Sequence, residues 1–208
     1  THNNVDLSGS AITIEYWFKG SYMQSVVRHQ SEAGYIVAGY HGAHILSNDG
    51  LENGIAVGAG VTDGKWHHVA MTWEQNTTNG FKSYLDGNLV EQRNSSNTPL
   101  PNMNDEIYFG SWVGTSDFAN GAIAEVRIWN YARTQSELQA HLSGSEAGLV
   151  GYWPLCSDNG GNSPDLTAND NYTLLYSTSW TLDVVHYHPS QNFVGTDSFT
   201  YTANDGTS

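Results

Sequence analysis

In Ala11–Lys19 every second side chain is apolar: Ile12, Ile14, Tyr16 and Phe18 fall on one face, and Thr13, Glu15 and Trp17 on the other. That two-residue period is the geometry of a strand packed on one side. Similar runs recur along the chain, punctuated by Gly, Asn and Asp, at Ser25–His29, Tyr35–Gly39, Gly54–Ala59, Trp66–Glu74, Gly80–Leu85, Asn88–Arg93, Glu106–Phe109 and Ala122–Trp129. Many short strands with turn signals between them predict an all-β fold, a two-sheet antiparallel jelly-roll β-sandwich with one short helix. Asp63-Gly64 and Asp86-Gly87 are turn signals, the second a two-residue hairpin connection. The helix is predicted at Thr134–Leu142, where Thr134-Gln135-Ser136-Glu137 is a capping box and Leu138 and Leu142 give an apolar edge before Gly144. Leu149–Leu155 and Tyr172–Leu175 read as further strands around a polar loop, Ser157–Asn171, whose acids are expected to face solvent or metal.

At 208 residues the chain is long enough for one large sandwich. Twenty-one acidic against seven basic side chains give a formal charge of −14, a field that repels phosphate backbones and anionic lipid. Nucleic acid is therefore not an expected partner, and no apolar run reaches the ~20 residues that would insert into a membrane. Twenty-two glycines, seven tryptophans and twelve tyrosines suit a packed, turn-rich protein rather than a disordered tail. Cys156 is the sole cysteine, so no disulfide forms within the chain, and the bland reading is a buried or half-buried thiol. Thr1 opens a polar stretch without Met or signal peptide, so the chain reads as a segment of a longer precursor.

Five runs occur together: Ile12–Lys19, Asp63–Ala70 (DGKWHHVA), Tyr84-Leu85-Asp86-Gly87, Gly121–Asn130 (GAIAEVRIWN) and Gly148–Leu155 (GLVGYWPL). In order and spacing they resemble the bacterial laminin G-like, concanavalin A-like jelly-roll domains related to pentraxins, over residues 5 to 181. The tail, with Asn192–Tyr201 and Asn204-Asp205-Gly206, is similar to the second half of the cadherin-like tandem repeats of bacterial adhesins and extracellular enzymes. The domains expected are thus a sandwich over 1–182 and, over 183–208, a linker and partial repeat. Val184–His188 and Ser198–Ala203, the two strands expected there, cannot bury a core alone, so the tail reads as either a clasp packed on the sandwich or the truncated start of another domain.

Catalysis has little support in the residues. Glycoside hydrolysis needs two carboxylates about 5–9.5 Å apart, whereas Glu15 and Glu125 each stand alone on their strands. Glu15 is expected to face Arg127 as a sheet-borne ion pair. His67 and His68 point to opposite faces and cannot share one ion. His68 reads as a structural residue near a turn, and His41 and His44 read as flanking Gly42-Ala43 in a loop where the two could converge, without a third zinc-like ligand. Asn76, Asn94 and Asn171 head sequons, read as polar loops. No G-x-S-x-G elbow or glycine-rich phosphate motif occurs.

The resemblance implies a non-catalytic carbohydrate-binding lectin or adhesin module, secreted or at the cell surface, with a glycan or cell-surface polysaccharide and neighbouring modules of the same chain as partners. A structural spacer without a small ligand, and an accessory domain of a secreted polysaccharide-degrading enzyme, are the alternatives. In the resembling family the ligand and calcium contacts come from loops that correspond to His29–Tyr35 and Ser111–Asn120. Trp112, Asp117 and Asn120, with Tyr40 and His41 from a neighbouring loop, are the ligand-binding candidates, because aromatic faces stack on sugars while polar atoms orient hydroxyls. The paired-calcium acids of pentraxins are not reproduced. One calcium on Glu32, Asp117 and Asn120 is the most the loops imply, and it needs main chain and water to reach six to eight oxygens.

Overall fold

The structure is a computed structural model that describes residues 5–23, 26–31, 34–39, 43–47, 55–57, 60–100, 104–105, 107–112, 116–140, 142, 146–155, 162–169, 171 and 173–174. Among these the strands are β1 (Val5–Asp6), β2 (Ala11–Tyr22), β3 (Val27–Ser31), β4 (Gly34–Ala38), β5 (Ala43–Ser47), β6 (Trp66–Glu74), β7 (Phe81–Leu85) and β8 (Asn88–Arg93). They continue with β9 (Asn104–Asp105), β10 (Ile107–Phe109), β11 (Asn120–Trp129), β12 (Leu149–Trp153), β13 (Asn162–Ser163) and β14 (Thr173–Leu174), and the helix α1 spans Gln135–Leu138. A six-stranded sheet runs β12-β11-β2-β6-β7-β8, a four-stranded sheet runs β10-β3-β4-β5, and β1-β9 and β13-β14 are small pairs. All pairings are antiparallel.

The alternation in the sequence becomes the core directly. Ile12, Ile14, Tyr16 and Phe18 of β2, Val69, Met71 and Trp73 of β6, Phe81 of β7 and Val126 and Ile128 of β11 bury against Val27, Ile36 and Ala38 of the smaller sheet. Trp153 of β12 joins the same core, so residues beyond 149 still belong to the six-stranded sheet. Asp86 and Gly87 both take positive φ, 51° and 72°, in the two-residue turn between β7 and β8, the backbone that a hairpin of this length requires.

Two expectations change. Ala43–Ser47 is a strand paired with β4, with Val37 opposite His44, so His44 lies on a sheet and not in a loop; its lone histidine among apolar neighbours hid the period. The helix is a single short turn, capped as expected: Thr134 Oγ1 accepts from the Glu137 N–H, and the Glu137 carboxylate accepts from the Thr134 N–H. Leu138 packs on Ala70 and Tyr84, on the face of the large sheet away from the main core. Gln135 and Gln139 both donate to the Gly87 carbonyl, at 2.9 and 2.8 Å, which fastens α1 to the β7–β8 turn. Ahead of α1, Thr13 Oγ1 donates to the Tyr131 carbonyl and accepts from the Arg133 N–H, and β2 is buried on both faces over Ile12–Tyr16.

Candidate functional site

Gly20 and Gly121 set the geometry of one rim of the sandwich. They sit opposite each other in β2 and β11, and a Cβ built on Gly20 would lie 2.3 Å from the Asn120 carbonyl oxygen, one on Gly121 2.4 Å from that of Lys19. Only glycines permit this approach. Next to them the register shifts, and Asn120 comes opposite Tyr22. Tyr22 is 45% exposed, and Phe118, two residues before Asn120, is 60% exposed. Asp117 and Asn120 are exposed as well. Asp117 has φ 50°, a left-handed conformation that Asp tolerates better than most residues.

Trp112 does not offer the open platform expected of it. Its backbone closes a bridge with Ser116, Trp112 N–H donating to the Ser116 carbonyl at 2.7 Å. The guanidinium of the fully buried Arg28, from β3, lies over its ring. Trp112 is thus half-buried with one face already taken, while Asp117 and Asn120 are exposed. The aromatic surface at this rim is Phe118 and Tyr22, which sequence reading passed over. Their exposure depends on where β2 ends and β11 begins, and neither end carries a distinctive local signal. Tyr40, His41 and Glu32 lie outside the described residues. Among the described residues no group of three or more His, Cys, Asp or Glu could hold a metal ion. Asp117 and Asn120 supply at most three side-chain oxygens, short of a calcium shell.

A second polar cluster lies under α1. Glu15 is opposite Arg127 in register, yet its carboxylate is held by others: Arg133 Nη1 donates to Oε1 at 2.6 Å, Trp129 Nε1 to the same oxygen at 2.9 Å, and His68 Nε2 lies 3.2 Å from Oε2. The expected Glu15–Arg127 pair is therefore corrected to Glu15–Arg133. Arg127 bonds Glu125 and stacks on Tyr152, whose hydroxyl also donates to Glu125. The cause is a β-bulge. Between Ala124 and Arg127, β11 carries one more residue than β2, and Glu125 takes φ 54° with its N–H donating to the Pro154 carbonyl. A bulge of this kind lets Ile123, Val126 and Ile128 all face the core and puts Glu125 on the same side as Arg127. Burial acts to raise the Glu15 carboxyl, and the His68 hydrogen bond, the charges of His68 and Arg133 and the Trp129 N–H outweigh it, leaving the pKa lowered.

Asp165 is also corrected, from a solvent- or metal-facing acid to a buried one. It accepts from the Tyr152, Thr167 and Asn171 backbone N–H groups and from the Thr167 and Asn171 side chains. His67 and His68 part as expected: His68 turns to Glu15, and His67 lies between Asp86 (Nδ1 to Oδ2, 2.9 Å) and Asp63 (Nε2 to Oδ1, 3.1 Å).

Residues 1–139 match the family described as the concanavalin A-like lectin/glucanases superfamily. The chain belongs to that superfamily. Residues 143–208 match a bacterial Ig domain, a span that includes the 183–208 tail in which the sequence resembles a repeat module. A rat protein, sushi, von Willebrand factor type A, EGF and pentraxin domain-containing protein 1, is 25% identical over 166 residues; the match spans 69% of this chain and 4% of the rat protein. A solved structure of a candidate carbohydrate binding protein from Bacteroides ovatus superposes with a TM-score of 0.56 at 18% identity, covering 83% of this chain and 58% of that one. The shared feature is the superfamily's fold. No helix among the described residues is long and apolar enough to cross a membrane.

Proposed function

We propose that this chain is a non-catalytic carbohydrate-binding module of a large extracellular bacterial protein, and that it takes its glycan at the rim formed by Phe118, Tyr22, Asp117 and Asn120. The observation that carries this reading is that two exposed aromatic residues, an exposed carboxylate and an exposed amide fall where β2 ends and β11 begins, with Asn120 opposite Tyr22. Aromatic faces cover the apolar side of a pyranose, and the polar atoms fix its hydroxyls. The carbohydrate-binding name of the Bacteroides ovatus relative supports the same class. Glu15 and Glu125, the strand acids nearest to a hydrolase pattern, are buried and committed to Arg133 and Arg127, which favours binding over hydrolysis. The bacterial Ig match supports neighbouring modules and an extracellular setting.

A glycan array probed with the 208-residue chain, in calcium and in chelator, tests the proposal. Phe118→Ala and Asp117→Ala should each weaken the best glycan at least about tenfold, a loss of ~1.4 kcal/mol. Trp112→Ala should act less directly, by releasing Arg28. If no glycan binds the wild type, the spacer reading replaces this one. If binding survives chelation unchanged, calcium has no part in it.

A further inference from the structure

His67 is pinned between two turns that are distant in sequence. Asp63 lies in the turn that leads into β6, and Asp86 opens the β7–β8 hairpin. Both carboxylates reach the one imidazole, whose side chain is 16% exposed and so remains in proton exchange with solvent. A neutral imidazole has one N–H to give, and only the imidazolium donates from both nitrogens. Two carboxylate acceptors at 2.9 and 3.1 Å thus specify the charged ring.

The Asp63 turn also holds β2. Gly64 N–H donates to the Gly20 carbonyl at 3.2 Å, and Gly20 is the residue packed on Gly121 beside Tyr22 and Asn120. We infer that His67 is a protonation-dependent clamp: as the imidazolium it ties the Asp63 turn to the Asp86 hairpin and thereby steadies the Gly64-to-Gly20 contact at the rim.

The surroundings favour the charged form. The hydrogen bond to Asp86 is the largest influence and raises the His67 pKa; burial, next in size, opposes it, and the bond to Asp63 with the charges of both acids leaves the pKa raised. Asp63 is lowered to about 2, chiefly by the Lys65 backbone and side chain and by His67. The other charged groups nearby are Lys65, whose Nζ is 3.0 Å from Asp63 and exposed, Lys19, next to Phe18, the residue opposite His67 on β2, and His68, whose ring turns to Glu15. On the hairpin side Asp86 is also fixed by the His68 N–H at 2.9 Å, and the α1 glutamines that reach Gly87 are uncharged. When pH rises through the raised pKa, the ring keeps one bond. The shorter one, to Asp86, is retained and Asp63 is released. Stabilisation by the clamp is therefore complete below the ordinary histidine pKa and is lost above the raised one.

Nitrogen-15 spectra of the 208-residue chain from about pH 5 to pH 8 read both ends of the clamp. The His67 ring should titrate above ~6.5, and the Gly64 amide shift should follow the same midpoint. Asp63→Asn should lower that midpoint, and His67→Gln should leave Gly64 without it. A His67 midpoint at or below the ordinary value, or a Gly64 titration that persists in His67→Gln, would overturn the inference. If His67→Gln does not fold, Asp63→Asn decides alone: an unmoved midpoint refutes the clamp. The effect on ligand rests on the proposed function, with glycan affinity falling above the midpoint in the wild type and not in His67→Gln. Gly64 tracking His67 while no glycan binds at all would leave the clamp standing and the glycan reading refuted.

Discussion

Arg133→Met should be the most damaging single change under α1. The Glu15 and Arg133 side chains are only 2% and 3% exposed, so solvent cannot screen a charge left behind. Removing one partner of a buried pair costs about 3–5 kcal/mol. The Trp129 indole and His68 still serve the Glu15 carboxylate, which places the expected loss near the lower end, about 3 kcal/mol. The guanidinium also donates to the Glu137 carbonyl and lies 4.3 Å from the centre of the Trp129 ring, contacts that methionine replaces only by packing. For a chain of this size each kcal/mol shifts Tm by about 2–4 °C, so thermal unfolding followed by circular dichroism should fall by roughly 6–12 °C. Glu15→Gln combined with Arg133→Met should recover part of the loss, because no charge is then stranded. The acid limb should move too. The folded Glu15 pKa lies below its unfolded value, so its contribution is present above the ordinary carboxylate range and is lost as pH falls through the lowered pKa. Arg133→Met raises that pKa and should bring acid unfolding to higher pH. A Tm fall under about 2 °C, the range of an exposed ion pair, would refute a buried role for Arg133.

Gly20→Ala puts a methyl against the Asn120 carbonyl oxygen and the Gly121 Cα; both are backbone atoms, so β2 and β11 must part, at about 1–3 kcal/mol, read as a lower Tm together with shifted Tyr22 and Asn120 amide signals. Thr134→Ala removes the acceptor for the Glu137 N–H and should cost about 1 kcal/mol, with an unchanged Tm showing that Gln135 and Gln139 hold the helix without its cap.

Periodicity and turn chemistry wrote the scaffold into the sequence. The alternation of Ile12, Ile14, Tyr16 and Phe18 states which face of β2 is buried, Asp86-Gly87 states where a hairpin turns, and the Thr134–Glu137 box states where a helix begins, because each depends on residues within a few positions of one another. The opposite facing of His67 and His68 follows from the same local rule. Partner choice does not. Glu15 meets Arg133 rather than the Arg127 opposite it, because a bulge at Glu125 commits Arg127 to that residue and the segment after β11 folds back over the sheet. Asp165 is buried because a loop brings Asn171 and the Tyr152 amide to it. Trp112 loses a face to Arg28, from a strand more than eighty positions earlier, while Phe118 and Tyr22 become the exposed aromatics where two glycines let β2 and β11 close together. These outcomes belong to the tertiary structure, since they depend on register and on the path of the chain between strands, and a pattern with a two-residue period carries neither.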